Sequence, residues 1–203
     1  MRYYYESFAI VQPLLDSESP GTAASECLII NMLPLSSLSP LQSLDCSGCE
    51  GITEFSPLSY PPSLSTLQSC YGISDLSPLS SLSFLQALNC SDCSLITDLL
   101  PLTSLSYLKT LDCIRCDCIS DLSPLSSLSS LKTLNCSECS VISLSPLSSL
   151  YSLRTLDCSC CSLVTDVSPL SNLPSLQTLS CYVCKGLTDL SPLSNLSSLH
   201  VHK

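Results

Sequence analysis

Six Cys-x-x-Cys pairs carry most of the chemistry this chain could do: Cys46/Cys49, Cys90/Cys93, Cys113/Cys116, Cys136/Cys139, Cys158/Cys161 and Cys181/Cys184. Thiols at that spacing serve as zinc ligands, as redox nucleophiles, or as halves of disulfides. The 19 residues between Cys93 and Cys113 fall within the zinc-ribbon range. That interval, however, recurs down the chain, and any residue type placed at two fixed phases of a repeat would reproduce it. A redox pair wants its first cysteine at a helix N-terminus, where the dipole lowers the thiol pKa; here the motif leads into Ile-Thr-Asp instead.

What positions the pairs is a repeat. Segments beginning at Leu35, Leu58, Leu79, Leu102, Leu125, Leu147 and Leu170 run 23, 21, 23, 23, 22, 23 and 23 residues, and an eighth starts at Leu193. Apolar residues return every third position, as at Leu125, Leu128, Leu131 and Leu134, and then tighten to a spacing of two at Leu134 and Cys136. Neither an α-helix nor a long strand has a period of three. A chain coiling about an axis does, with one short strand per coil where the spacing drops to two. Pro101, Pro124, Pro146, Pro169 and Pro192 exclude a long helix on the return side and favour 3₁₀ or extended turns.

The unit LSSLSFLQALNCSDCSLITDLLP, Leu79 to Pro101, resembles the leucine-rich repeat. Its Ile-Thr-Asp-Leu-Leu-Pro tail, which other copies carry as Asp-Leu-Ser-Pro-Leu, resembles the short repeats of internalins, and its cysteines resemble the cysteine-containing subclass. The resemblance covers about four-fifths of the chain. It departs from the family where Cys46, Cys90, Cys113, Cys136, Cys158 and Cys181 replace the second strand leucine. The fold it implies is an α/β-type solenoid, mostly β with a 3₁₀ or loop convex side, forming a right-handed superhelix with a parallel sheet. Residues 35–203 form the repeat domain, and residues 1–34 form an irregular segment with a degenerate capping half-repeat around Cys27.

Stacked coils give the cysteines a geometry. Neighbouring strands lie about 4.8 Å apart, whereas zinc wants its sulfurs within about 4 Å of one another and a disulfide wants Cβ atoms about 3.8 Å apart. The plainer expectation is that both cysteine columns are small buried hydrophobes, the second also offering thiols to backbone groups. A metal ladder and inter-coil disulfides stand as alternatives. Cys118 and Cys160 break the pattern and are the candidates for exposed thiols.

Glu54, Asp75, Asp98, Asp121, Asp166 and Asp189 form a second column. Side-chain capping of the Pro-containing turn explains it more simply than calcium does. The fifth copy drops a residue near Ile142-Ser143-Leu144, and the acidic position is expected to go with it. No nucleophile elbow, phosphate loop or zinc-protease motif is present, so neither an enzyme nor a cofactor is expected. A net charge of -10 argues against nucleic acid, and no apolar run is long enough for a membrane-spanning helix. Many reduced thiols and an N-terminus unlike a signal peptide suggest the cytoplasm; an incomplete N-terminus would instead allow a secreted or surface protein. The last residues, His200-Val201-His202-Lys203, are expected to break off the eighth coil and leave an uncapped edge able to self-associate end to end.

Positions flanking Leu-x-Cys point away from the core. They make up a candidate partner-binding face on the strand, or concave, side: Lys109, Thr110, Asp112, Ile114, Lys132, Thr133, Asn135, Arg154, Thr155, Asp157 and Tyr182. The leading functional expectation, by analogy of fold, is a non-enzymatic module holding a protein partner there. The alternatives are a cysteine-lined metal-binding or redox-sensing solenoid and, less specifically, a repeat array with no selected function.

Overall fold

The computed structural model describes residues 42–46, 63–68 and 71–203. Within them lie eight three-residue strands, one per coil: β1 Ser43–Asp45, β2 Thr66–Gln68, β3 Ala87–Asn89, β4 Thr110–Asp112, β5 Thr133–Asn135, β6 Thr155–Asp157, β7 Thr178–Ser180 and β8 His200–His202. They form one open sheet in sequential order, every pair parallel. The register advances one coil per strand, so Leu88, Leu111, Leu134, Leu156, Leu179 and Val201 stand in one row. The proposed N-terminal segment 1–34, together with Cys49 and Glu54, lies outside the described residues.

The three-residue period is the period of burial. From the end of the fourth coil through the fifth, Leu122, Leu125, Leu128, Leu131, Leu134, Cys136 and Cys139 are all buried, and the neighbouring described coils repeat the pattern. Each leucine so enclosed contributes roughly 1.5–3 kcal/mol relative to its exposed state. None of this is available to a single coil, whose apolar edge is covered only by the coils before and after it.

On the return side the described coils make short 3₁₀ segments, from Ser77–Ser81 to Ser191–Leu193. Proline lies near the start of each, where its fixed φ suits the turn and its missing N–H costs nothing. The abundant serines act here. Ser80, Ser126 and Ser171 hydroxyls donate to the carbonyl three residues back, each at 2.7 Å. Ser104 and Ser149 reach the preceding coil, at Ser80 O (2.9 Å) and Ser126 O (3.2 Å), Ser104 sharing its bond with Pro101 O at 3.3 Å. Hydroxyls thereby link coils on the side that has no sheet.

Two expectations change. The C-terminus is not ragged: His200, Val201 and His202 pair with Thr178, Leu179 and Ser180 as a regular eighth strand. Val201 takes the leucine position with 38% of its surface exposed, because no further coil covers it here. In the fifth copy the missing residue falls between Cys139 and Val141. Ser143 then occupies the acidic position and accepts the Ser145 N–H at 3.1 Å, as aspartate does elsewhere.

Candidate interaction surface

The sheet positions three kinds of side chain, and only one kind is free to meet a ligand. The cysteines are committed to the interior. The thiols of Cys116, Cys139, Cys161 and Cys184 donate to the carbonyls of Cys90, Cys113, Cys136 and Cys158, the first cysteine of the preceding coil, at 3.0–3.1 Å. First-column thiols reach forward more weakly, for example Cys113 to Asn135 O at 3.2 Å. Hydrogen bonding to the second-column thiol, reinforced by burial, pushes Cys90, Cys113 and Cys136 well above the ordinary thiol range. At the thin C-terminal end the hydrogen bond from Cys158 outweighs burial and lowers Cys184 to about 7. A thiol proton spent on a carbonyl must be given up before sulfur can bind a metal. Among the described residues no group of three or more His, Cys, Asp or Glu stands ready for an ion. The metal or redox reading thus gains no support. Cys118 and Cys160 are exposed, as their break from the pattern suggested.

The polar column at the ends of β3 to β6 is also committed. Asn89 and Asp157 Oδ1 accept the N–H two residues on, from Ser91 and Ser159, at 2.9 Å; Asn135 and Asp112 do the same with Ser137 at 3.1 Å and Ile114 at 3.2 Å. These Asx bonds hold the turn inside each Cys-x-x-Cys, whose third residue has positive φ: Asp92 (62°), Arg115 (56°), Glu138 (60°), Cys160 (62°) and Val183 (59°). The left-handed residue sends its N–H to the next coil, as Asp92 to Ile114 O at 2.7 Å. Such backbone is costly for any residue with a Cβ and most so for a β-branched one. Gly48, in Cys46-Ser47-Gly48-Cys49, was the hint of this in the sequence. Arg115 stands at the centre of the charged contacts, 3.1 Å from Asp92 and 4.0 Å from Glu138, and sequence spacing did not single it out.

The acidic column caps the return turns. Asp75, Asp98, Asp121, Asp166 and Asp189 accept the N–H two residues ahead at 2.7–2.8 Å. The hydroxyl and N–H of Ser77, Ser123 and Ser168 hold Asp75, Asp121 and Asp166 below the usual carboxylate value, and the N–H and hydroxyl of Ser191 do so for Asp189.

What is left forms the candidate face. The register sets Thr110, Thr133 and Thr155 side by side, beside a row of Asp112, Asn135 and Asp157 whose Oδ1 atoms are already used by the turns. Lys109, Lys132 and Arg154 precede their strands on consecutive coils and are exposed. Lys109 Nζ donates to Gln86 Oε1 at 2.8 Å. Ile114 is half-buried, and Tyr182 stacks on His202 with ring centroids 6.3 Å apart. The aromatic residues Phe84, Tyr107 and Tyr151, all exposed, were overlooked because they lie ahead of the strand and not on it.

An open parallel sheet with one short strand per coil and 3₁₀ turns behind it defines a leucine-rich repeat solenoid. The family described as Leucine Rich repeats (2 copies) matches residues 129–172 and 151–195. An internalin C2 from Listeria monocytogenes is 31% identical with a TM-score of 0.70, over 82% of this chain and 73% of that one. An internalin designated InlF, from the same organism, is 28% identical at TM-score 0.70, over 97% of this chain and 54% of its own. A leucine-rich repeat protein from Leptospira interrogans shares the fold at 19% identity and TM-score 0.59, over 83% of this chain and 50% of that one. No curated protein sequence matches the chain. The chain belongs to the leucine-rich repeat proteins of internalin type. That fold generally serves as a protein-interaction module, typically without catalysis. No helix among the described residues is long and apolar enough to cross a membrane.

Proposed function

We propose that this solenoid is a non-enzymatic interaction module that holds a protein partner on its strand face, through Lys109, Thr110, Asp112, Ile114, Lys132, Thr133, Asn135, Arg154, Thr155, Asp157 and Tyr182. The observation carrying this reading is the contrast between columns. Buried columns repeat Leu and Cys coil after coil, whereas the columns flanking the strands vary, as Gln86, Lys109, Lys132, Arg154 and Gln177 do, and stay exposed. Asp112, Asn135 and Asp157 take part as the rigid floor, since their Oδ1 atoms already serve the turns. The proposed module runs from residue 35 to 203, preceded by an irregular segment, 1–34, with a degenerate capping half-repeat. Thiols used as hydrogen-bond donors suit a reducing compartment such as the cytoplasm. A photo-crosslinking residue in place of Thr133 should capture a discrete partner, and the same residue at Ser126 on the return side should not. Capture should disappear when Thr155→Arg is added. Equal capture from both sides would refute a strand-face interface.

A further inference from the structure

The edge at which each coil turns into its strand carries more than the strand face does. Phe84 and Tyr107 stack there with centroids 6.0 Å apart and planes 22° from parallel. Both rings are more than half exposed, as is Tyr151 two coils further on. Two residues after Phe84 and Tyr107 come Gln86 and Lys109, whose side chains bond to each other. The same column continues as Lys132 and Arg154. Backbone bonds join it rung by rung: Lys109 N to Gln86 O at 2.7 Å, Lys132 N to Lys109 O at 2.8 Å and Arg154 N to Lys132 O at 2.8 Å. Three cations therefore rise along the edge at about 4.8 Å intervals.

Like charges so close repel, and among the described residues the Lys132 and Arg154 side chains have no hydrogen-bond or ion-pair partner. The chain has 17 acidic residues to choose from, yet the described ion pairs all go to Arg115. The strand carboxylates nearest in sequence, Asp112 and Asp157, have Oδ1 turned to Ile114 and Ser159 N–H groups. Exposed aromatic rings and, on the following coils, the unpaired cations Lys132 and Arg154 are the composition of interface anchors. Tyr151 also lines an open hollow of about 430 Å³ with Asn172, Pro174, Leu176, Asn195 and Leu196 of the two coils that follow.

We infer that this leading edge docks an extended acidic segment of a protein partner. Its carboxylates meet Lys109, Lys132 and Arg154, and an aromatic or aliphatic side chain covers the Phe84–Tyr107 pair. The inference rests on the interaction-module reading and specifies the partner's chemistry. A nucleic acid fits less well, because a long polyanion must also approach a chain of net charge -10, while a short acidic segment meets mainly the local column.

Fluorescence anisotropy with labelled peptides of about twelve residues tests this on the full chain. A Glu-Tyr alternating peptide should bind at least about tenfold tighter than a Ser-Tyr one, and should weaken as salt rises from about 50 to about 300 mM. Lys132→Glu with Arg154→Glu should cost about tenfold or more, Lys132→Gln with Arg154→Gln less, and Phe84→Ser about threefold, while Lys185→Glu changes nothing. Circular dichroism and melting should match the parent throughout. Equal binding of the Ser-Tyr peptide, indifference to the paired variants, or tighter binding of oligodeoxythymidine at the same salt would each overturn the inference. If the peptide fails while crosslinking from Thr133 still captures a partner, the leading-edge assignment falls and the interaction module stands. If both fail, the module reading falls as well.

Discussion

The cysteine turns and the leading edge lie on opposite ends of the same strands, and they follow opposite rules. At the turns, geometry and the bonding residues repeat, although the left-handed position itself varies. The thiol of one coil meets the carbonyl of the coil before it, an Asn or Asp accepts an N–H two residues on, and the residue between is left-handed. At the leading edge only the backbone repeats; the side chains change from Gln86 to Lys109, Lys132, Arg154 and Gln177 and make few bonds within the chain. A polar group that satisfies a neighbour coil is structural even when it faces outward. One that varies and stays unpaired is available to a partner.

The largest expected effect lies beneath both regions. Leu134→Ala, at a site with no exposed surface, should lower the free energy of unfolding by about 2–5 kcal/mol in a denaturant titration. A loss under about 1 kcal/mol would mean the coils pack loosely. At the turns, Asn135→Ala removes the acceptor for the Ser137 N–H and hydroxyl and should cost about 1 kcal/mol. The left-handed position offers the converse test. Val183 is exposed with φ near 59°, so Val183→Gly should raise stability by roughly 0.5–1 kcal/mol.

Much of this was legible in the sequence, and the limits have physical causes. Burial every third residue, tightening to two at Leu134 and Cys136, specified the coil and its strand because each inward step needs an apolar side chain. Proline marked the return turns for a similar reason. The Asx bonds of Asn89, Asp112, Asn135 and Asp157 were harder to see. A side chain facing outward on a strand looks like a binding residue until the turn it closes is known. The eighth strand was harder to see because Val201 has no cysteine two positions on, although strand pairing requires only backbone. Phe84, Tyr107 and Tyr151 escaped notice because a reading centred on the strand excludes the residues leading into it.

Smaller effects sharpen the contrast by titration. The folded-state pKa values of Asp75, Asp121, Asp166 and Asp189 lie below their unfolded value, so their contribution is complete above about pH 4 and fades as pH falls through the lowered values. Acid melts should show stability declining below about pH 4, and Asp121→Asn should flatten that decline slightly. Thiol alkylation followed by mass spectrometry near neutral pH should modify exposed Cys118 and Cys160 first, Cys184 next, and Cys90, Cys113 and Cys136 last. Modification of Cys113 before Cys184 would contradict the environments described for the two columns.

Calorimetric melting of two matched variants tests the division between structural and available columns most directly. Lys109→Ala with Lys132→Ala and Arg154→Ala should leave stability within about 0.5 kcal/mol of the parent, while Asn89→Ala with Asn135→Ala should lower it by about 2 kcal/mol. A leading-edge variant that loses as much stability as the turn variant would show that those cations hold the coils together and are not kept free for a partner.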